Sequence, residues 1–597
     1  MGSLVAALFR GGPPDERRLQ TMFDVAPHRG DSTRHVASGR SILGISDHAD
    51  RPEGDVAEAD GSVAAITGSL DNAAELAREL DANGRPLDPR RPAAVVLEGF
   101  RVHGDAFLGR MRGVYAGAVS DGETLWSFRD HIGFRTLFYR DDPGMFLVAT
   151  EAKQVVAGAG IPKEPDLDVL ESIFFREFTD STPAALRGVR RIPKASVVRV
   201  SADGAGIRRY WDPASLIETG PSLDDDELLE RFEQIMTQAT GRTLTGNDVV
   251  SLSGGIDSPA VAAFAAPQHL ERYGAPLSGL SALYPDQPSV DESAYIEEVA
   301  SFLGLPLFTY DRRAEPLGRV REWTELVDGP VPRLLLSDAE EHFAYAKKFG
   351  FRSMLTGEIA EFVIDMRRFL LAHLLRRGRL RPLYEHIRDQ HAKGASPPGI
   401  AKQLASAFVP RSLELLYMNS RTLPDGLRPP AWMDEDRYNR SSADFAVAAG
   451  ERWRQQQLLG FIGPGLTLEA EEIAEDALGV RLRRPWADVD LWEFFLSLPA
   501  EQKFPTVERK GLVRKLLRGR VPDVILDRRD KTVFDASIEA RIDYGDLRRW
   551  LLDPRARIGG VDYELLADQL RSETLDVPAY QWARDLAQVH AFLSLWE

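Results

Sequence analysis

Cysteine is missing from all 597 residues. That excludes a disulfide framework, thiolate metal sites and any cysteine nucleophile. No apolar run approaches the roughly 20 residues that cross a bilayer, so no membrane partner is expected. The opening stretch, MGSLVAALFRGGPPDERR, has a short apolar patch with no basic segment before it. A secretory signal is therefore not expected, and a cytoplasmic location is the simplest expectation. Positive charge is also short: the formal net charge is −17. An acidic chain has no general attraction for nucleic acid, and none is expected as a partner. A polyanionic ligand would need a local site of backbone N–H groups, a metal ion and a few placed cations. Four motifs are absent: G-x-x-x-x-G-K-[ST], G-x-G-x-x-G after a strand, H-E-x-x-H and G-x-S-x-G. This argues against a Walker-type ATPase, a dehydrogenase, a zinc protease and a serine hydrolase.

What is present is a soluble, globular composition, 43% hydrophobic and 28% charged. The length exceeds one ordinary core, so two large domains are expected. Residues 1–212 read as a β-rich domain. SVAAITG, RPAAVVLEGF, GVYAGAVS, TLWSF and MFLVAT are apolar runs between Gly, Asp and Pro turns, the spacing of an antiparallel β-sandwich. RRYWDPASLIETGPSLDDDE reads as an exit linker. Residues 213–597 then alternate helix and strand: ELLERFEQIMTQATGRTL, NDVVSLSGG, DSPAVAAFAA, LSGLSALY, ESAYIEEVASFLG, PLFTY, AEEHFAYAKKFG and FRSMLTGE. That rhythm predicts an α/β domain built on a doubly wound parallel sheet. A helical, Arg-rich insertion is expected over about 366–460, and helices alone after 466.

The strongest motif is Ser253-Gly254-Gly255-Ile256-Asp257-Ser258, placed where a predicted strand ends and a helix begins. A helix N-terminus offers unpaired N–H groups and partial positive charge. Two glycines let the backbone approach an anion, and Ser253 and Ser258 add hydroxyl donors. Asp257 supplies the carboxylate that a phosphate-bound Mg²⁺ requires. An ordinary capped glycine turn is the competing reading of a bare S-G-G; the full motif in this context points to nucleotide phosphates.

SGGIDS resembles the pyrophosphate-binding loop of the asparagine synthetase superfamily, whose members split ATP into AMP and pyrophosphate. LGRMRGVYAGAVSDGETLWSFRDHIGFRTLFYR with FLVATEAK is similar to that family's N-terminal glutaminase-type domain. LTGEIAEF (Leu355 to Phe362) falls at its L-[ST]-G-E-G-x-D-E loop. RRPWADVDLWEFFLSLP is similar to its R-x-P-[FW]-x-D segment, and RKGLVRKLLRGRVPDVILDRRDK (Arg509 to Lys531) to its basic tail. The resemblance implies ATP and Mg²⁺ as cofactors and a set of site residues. Leu252, Ser281, Thr356 and Gly357 fall where the family's backbone contacts adenine. Ser253, Gly254, Gly255, Asp257 and Ser258 fall at the phosphates, and Asp257 and Glu361 at the metal. Glu358 falls where a carboxylate meets the attacking amine, and Lys510 and Lys531 where cations face the departing pyrophosphate. Glu292 reads equally as a first-turn acid or a functional residue.

The chain departs from the pattern in two places. Gly2 stands where glutamine-using members carry cysteine, so glutamine hydrolysis is not expected and the N-terminal domain reads as degenerate. In the 355–362 loop, Ile359, Glu361 and Phe362 replace the usual Gly, Asp and Glu. Loss of the cysteine resembles β-lactam synthetases and lasso peptide cyclases, in which the amine belongs to the substrate. MRRFLLAHLLRRGRLRPLYEHIRDQH, VPRSLELL and LRPPAW resemble the insertion of lasso peptide cyclases. Within it, Arg367, Arg368, Arg376, Arg377, Arg379 and Arg381 read either as a solvated face or as a surface for an acidic peptide. The lasso resemblance implies a leader-processed precursor peptide as substrate, with a lasso peptidase and a leader-binding protein as partners. A small-molecule β-lactam synthetase, an ammonia-dependent asparagine-forming enzyme and a non-catalytic scaffold stay open as alternatives.

Overall fold

The computed structural model describes residues 2–81, 86–179, 182–332, 334, 336–406, 408, 429–438, 452–462, 465–528, 532, 537, 541 and 543–596. Lys531 lies outside them, as do the segment VPRSLELL and the first two residues of LRPPAW.

The N-terminal half holds two six-stranded antiparallel sheets. One runs Arg190–Arg191, Phe138–Asp142, Met145–Ala149, Ser3–Phe9, Ser41–Asp47, Ser32–Ser38 across its width; the other runs Gly204–Arg209, Ser196–Ser201, Leu125–Arg129, Gly113–Ser120, Ser62–Leu70, Asp55–Ala59. Side chains alternate along a strand. Leu4, Ala6 and Leu8 of the first sheet thus meet Val63, Ala65, Ala116 and Ala118 of the second in one apolar layer. RPAAVVLEGF, expected as a strand, is instead within the helix Pro92–His103. Its apolar residues Ala93, Val96, Leu97 and Phe100 recur at the helical spacing i, i+3, i+4, i+7, and all four bury against the second sheet. Pro92, at the first helical position, starts the helix where a missing N–H does no harm.

The C-terminal half is built on a five-stranded, all-parallel sheet. Its strands are β1 (Asp248–Ser251), β2 (Ser278–Leu283), β3 (Leu307–Asp311), β4 (Ser353–Leu355) and β5 (Arg481–Arg483), in spatial order β3-β2-β1-β4-β5. The helices that position the site are α1 (Asp225–Thr243), α2 (Asp257–Tyr273), α3 (Ser293–Leu303), α4 (Leu336–Lys348) and α5 (Gly465–Leu478). Strand β5 corrects the expectation of helices alone after 466: three residues reading RLR carry no strand pattern of their own, and pairing with β4 makes the strand. The strand order reverses direction between β1 and β4. In doubly wound sheets that reversal opens a crevice at the carboxyl ends of the two strands. The loops leaving β1 and β4 are SGGIDS and TGE.

The helical insertion contains Leu370–Arg376, Leu380–Ala392, Pro397–Ala405 and Arg452–Ile462 among its described helices. Leu370, Leu371, Leu374, Ile400 and Trp453 give it an apolar core that closes on Phe504. Its arginines are largely neutralised within the chain: Arg367 pairs with Asp365, Arg377 with Glu218, Arg379 with Glu501 and Arg381 with Glu385. The segment read as a linker is ordered, with Trp211 Nε1 donating to Glu493 at 2.9 Å. Trp432 is fully buried, and its carbonyl accepts from the Asp562 N–H.

Helix α5 joins the two halves. Among its carboxylates, Glu469 faces Arg129 and Arg191, Glu472 faces Arg29 and Arg135, and Asp476 faces Arg29. All four arginines belong to the N-terminal half and all are buried. Ion pairs this deep stabilise only when every member keeps its partner.

Candidate active site

The turn from β1 into α2 is closed by its own serines. Ser253 N–H donates to Ser258 Oγ at 3.0 Å, and the two hydroxyls lie 3.0 Å apart. The Gly254 N–H donates to Glu292 Oε2 at 3.0 Å, and the Gly254 carbonyl accepts from Arg528 Nη1 at 2.8 Å. Arg528 and Thr532 hold the other Glu292 oxygen at 2.9 and 2.7 Å. Glu292 is thus a brace of the turn rather than a plain first-turn acid. A Cβ on Gly254 would lie 2.9 Å from Arg528 Nη1, whereas one on Gly255 would meet nothing nearer than 3.5 Å. Gly255 therefore faces open space.

The loop after β4 lies against this turn. A Cβ on Gly357 would fall 2.5 Å from Ser258 N and 2.8 Å from the Asp257 carbonyl carbon. Only glycine lets these two backbones touch. Ile359 follows with φ 71°, a left-handed conformation that a β-branched residue rarely adopts. Lys510 also lies in this region at φ 56°. Such strain persists where the surrounding structure fixes it, and it collects at functional sites.

Asp257 opens α2. Its Oδ2 lies 2.5 Å from Lys510 Nζ, its carbonyl accepts from Trp486 Nε1 at 3.2 Å, and its Oδ1 is buried with no hydrogen-bond partner. Burial raises the Asp257 carboxyl pKa. Lys510 opposes that rise, and the negative charges of Glu361 and Asp365 add to it. Asp365 is itself held by Arg509 at 2.7 Å. Among the described residues, no three His, Cys, Asp or Glu side chains form a metal-holding group by themselves. An orphaned carboxylate oxygen amid a surplus of negative charge nevertheless fits a hard cation that takes its remaining ligands from phosphate and water.

Beside the turn, a cavity of about 430 Å³ opens over the carboxyl ends of β1, β2 and β4, lined by Leu252, Ser253, Ser281, Thr356, Glu358 and Glu471 among others. Ser281 Oγ donates to the Leu252 carbonyl at 2.7 Å, so its side chain fastens neighbouring strands. Glu358 receives Arg484 Nε at 2.8 Å. The structure therefore gathers Leu252, Ser253, Gly254, Gly255, Asp257, Ser258, Ser281, Thr356, Gly357, Glu358 and Lys510 around one crevice. Glu361 is near enough to bear on Asp257 electrostatically.

Sequence reasoning missed Arg484, Glu471, Glu475 and His342. Arg484 reaches Glu358, Glu471 and Glu475 at once. His342 bridges Ser251 Oγ and Tyr310 OH at 2.9 Å on each side, and burial drives its pKa down to about 3, so the ring is neutral. The acid-rich run LEAEEIAED, followed closely by RLRR, was the available signal for the first three.

The asparagine synthase family profile matches residues 232–597, and a glutamine amidotransferase domain profile matches residues 1–211. The chain belongs to the asparagine synthase family. Asparagine synthetase [glutamine-hydrolyzing] 3 of Bacillus subtilis is 25% identical, over 98% of this chain and 96% of its own length. Amidase chry2 of Gibberella zeae is 28% identical over 57% of this chain and 54% of its own. Among solved structures, glutamine phosphoribosylpyrophosphate amidotransferase of B. subtilis, with ADP and GMP, matches at a TM-score of 0.27 and 12% identity, over 61% of this chain and 77% of that one. The asparagine synthase family carries out ATP-dependent amidation. No described helix is long and apolar enough to cross a membrane.

Gly2 is buried, and a Cβ on it would lie 1.7 Å from the Ser46 carbonyl oxygen. Its own carbonyl accepts from Thr67 Oγ1 at 3.0 Å, and Arg135 in turn donates to that hydroxyl. The chain has no cysteine, and position 2 has no room for a side chain.

Proposed function

We propose that this chain is an AMP-forming amide ligase whose amine comes from its own substrate: a lasso-type macrolactam cyclase. It would join the N-terminal amine of a leader-processed core peptide to an Asp or Glu side chain. The observation that carries the reading is the pairing of SGGIDS and TGE across the strand-order reversal, with Gly2 sealed in the N-terminal half. The first supports adenylation. The second removes the internal ammonia source. The helical insertion over 366–460 supports the cyclase over a small-molecule synthetase.

In this account the nucleotide base lies against Leu252, Ser281 and Thr356-Gly357, and the phosphates lie on 253–258. Asp257, with Glu361, would hold Mg²⁺, which when bound neutralises phosphate charge. The substrate carboxylate attacks the α-phosphorus, and pyrophosphate leaves with the electrons of the broken P–O bond. Lys510 would meet that developing charge, where fixed cations act most strongly, and the family resemblance gives Lys531 the same role. The amine then forms the C–N bond as the C–O bond to AMP breaks, and its proton passes to the Glu358 carboxylate. Arg484, which donates to that carboxylate, orients it. Holding the peptide prefolded removes much of the entropy of ring closure.

The test is intact mass spectrometry of a candidate core peptide incubated with the chain and Mg·ATP. Loss of one water, with AMP and pyrophosphate formed in equal amount, is expected. Water loss without ATP, or ADP as product, would overturn the reading.

A further inference from the structure

Glu471 belongs to none of the roles above, yet it lines the same cavity as Glu358. It sits on α5, whose Glu469, Glu472 and Asp476 are fixed by buried arginines of the N-terminal half. The turns between point the opposite way, so Glu471 and Glu475 converge on Arg484. One guanidinium thus serves three carboxyls: Glu358 at 2.8 Å, Glu471 at 2.9 Å and Glu475 at 3.1 Å. Only one unit of positive charge is present for them. The side chain of Glu358 is 42% exposed and that of Glu471 12%. Water can solvate an ionised Glu358, while Glu471 has little such help. The other charged or titratable groups lining the cavity are Glu292, Arg312, Asp338, His342 and Tyr284. Arg312 is committed to Glu341, Asp338 to Arg541 and Glu292 to Arg528. His342 is neutral, so among the described residues lining the cavity none offers Glu471 a second cation.

We infer that Glu471 acts as a neutral carboxylic acid, holding one proton so that it sets no further negative charge beside Glu358 where the two meet Arg484. Burial first, and then the Glu358 charge, push the Glu471 pKa up to about 8, against the pull of Arg484. The inference rests on the nucleotide reading for its purpose. A triphosphate brought beside an ionised Glu471 would meet a repulsion weakly screened in a cavity. During amide formation the amine proton moves to Glu358. With Glu475 unchanged throughout, the charge on Glu358, Glu471 and Arg484 together then rises by one unit as AMP departs as an anion. Had Glu471 begun ionised, the same transfer would leave the group neutral. Glu471 is therefore a positioning and charge-setting residue, and Glu358 is the proton acceptor.

The experiment uses the full chain and two readouts. The first is infrared difference spectroscopy across a pH titration. A neutral carboxyl band disappearing near pH 8 is expected for the native protein and is expected to be missing from Glu471→Gln, which mimics the protonated form. The same band in both proteins, or in neither, would overturn the inference. The second is the dissociation constant of Mg·ATP against pH. Native affinity should fall several-fold as pH rises through 8, while Glu471→Gln should bind equally well and show no such fall. An identical fall in both proteins would also overturn it. If the native protein binds no Mg·ATP at any pH, the nucleotide reading fails, and the infrared result still decides the state of Glu471.

Discussion

Two glycines of the site should respond to the same substitution alike in nucleotide affinity and differently in stability. In Gly357→Ala the new Cβ falls 2.5 Å from Ser258 N and 2.8 Å from a backbone carbon of Asp257. Relaxed contacts need about 3.4 Å or more, so the loop after β4 must retreat by about 0.9 Å from the start of α2. Overpacking against backbone, which cannot rotate away, costs typically about 1–3 kcal/mol. The displacement also moves Thr356 and Glu358 within the crevice. Gly357→Ala should therefore lower both the melting temperature and the affinity for Mg·ATP. In Gly255→Ala the Cβ meets nothing nearer than 3.5 Å. Gly255 is also not among the glycines with positive φ. Its melting temperature should move by no more than the shift that about 0.5 kcal/mol produces. Its Mg·ATP affinity should nonetheless fall at least about tenfold, since the open face is where phosphate must approach the backbone. Calorimetric titration with Mg·ATP, beside thermal melting, reads both effects. If Gly255→Ala binds Mg·ATP as the native protein does, phosphate does not rest on that face and the geometric argument fails.

Three further outcomes are expected. Gly2→Cys should give no glutaminase activity and a lower melting temperature, because a Cβ there meets the Ser46 carbonyl at 1.7 Å; ammonia release from glutamine would contradict this. Glu472→Ala removes a carboxylate shared by the buried Arg29 and Arg135 and should cost about 3–5 kcal/mol in denaturant unfolding, whereas a loss under about 1 kcal/mol would show the α5 network to be unimportant. Lys503 is buried with its Nζ 2.7 Å from Gln457 Oε1, and burial drives its pKa down from 10.5 to about 7, Glu218 opposing. Between those values the unfolded chain binds the proton and the folded chain does not, so this group makes stability rise with pH over that window; Lys503→Met should flatten that slope in unfolding measured from pH 7 to 10, and an unchanged slope would refute it.

The parts legible in the sequence were those written contiguously. SGGIDS and TGE carried their strand–turn–helix context with them, and the alternation of apolar strands and helices was enough to mark four of the five parallel strands, though not their order in the sheet. Strand β5 escaped because its three residues are stabilised by pairing with β4 rather than by their own pattern. The helix Pro92–His103 was misread because Ala and Val runs are ambiguous until the burial period is known. The Glu358–Arg484–Glu471 group was invisible for a different reason. Its members come from the loop after β4, the end of β5 and the inner face of α5, and only the parallel sheet brings them together. Lys531 lies outside the described residues, so its place beside Lys510 rests on the family resemblance alone.

The central claim is that the turn at 253–258 receives the phosphates of a nucleotide. A crystal structure of the full chain with Mg²⁺ and a non-hydrolysable ATP analogue tests it most directly. The expected result is a triphosphate against Gly255, a metal ion on Asp257 Oδ1 and Lys510 drawn from Asp257 toward the phosphates. A nucleotide bound away from this crevice, or an unchanged Lys510–Asp257 pair with no nucleotide beside it, would contradict the account.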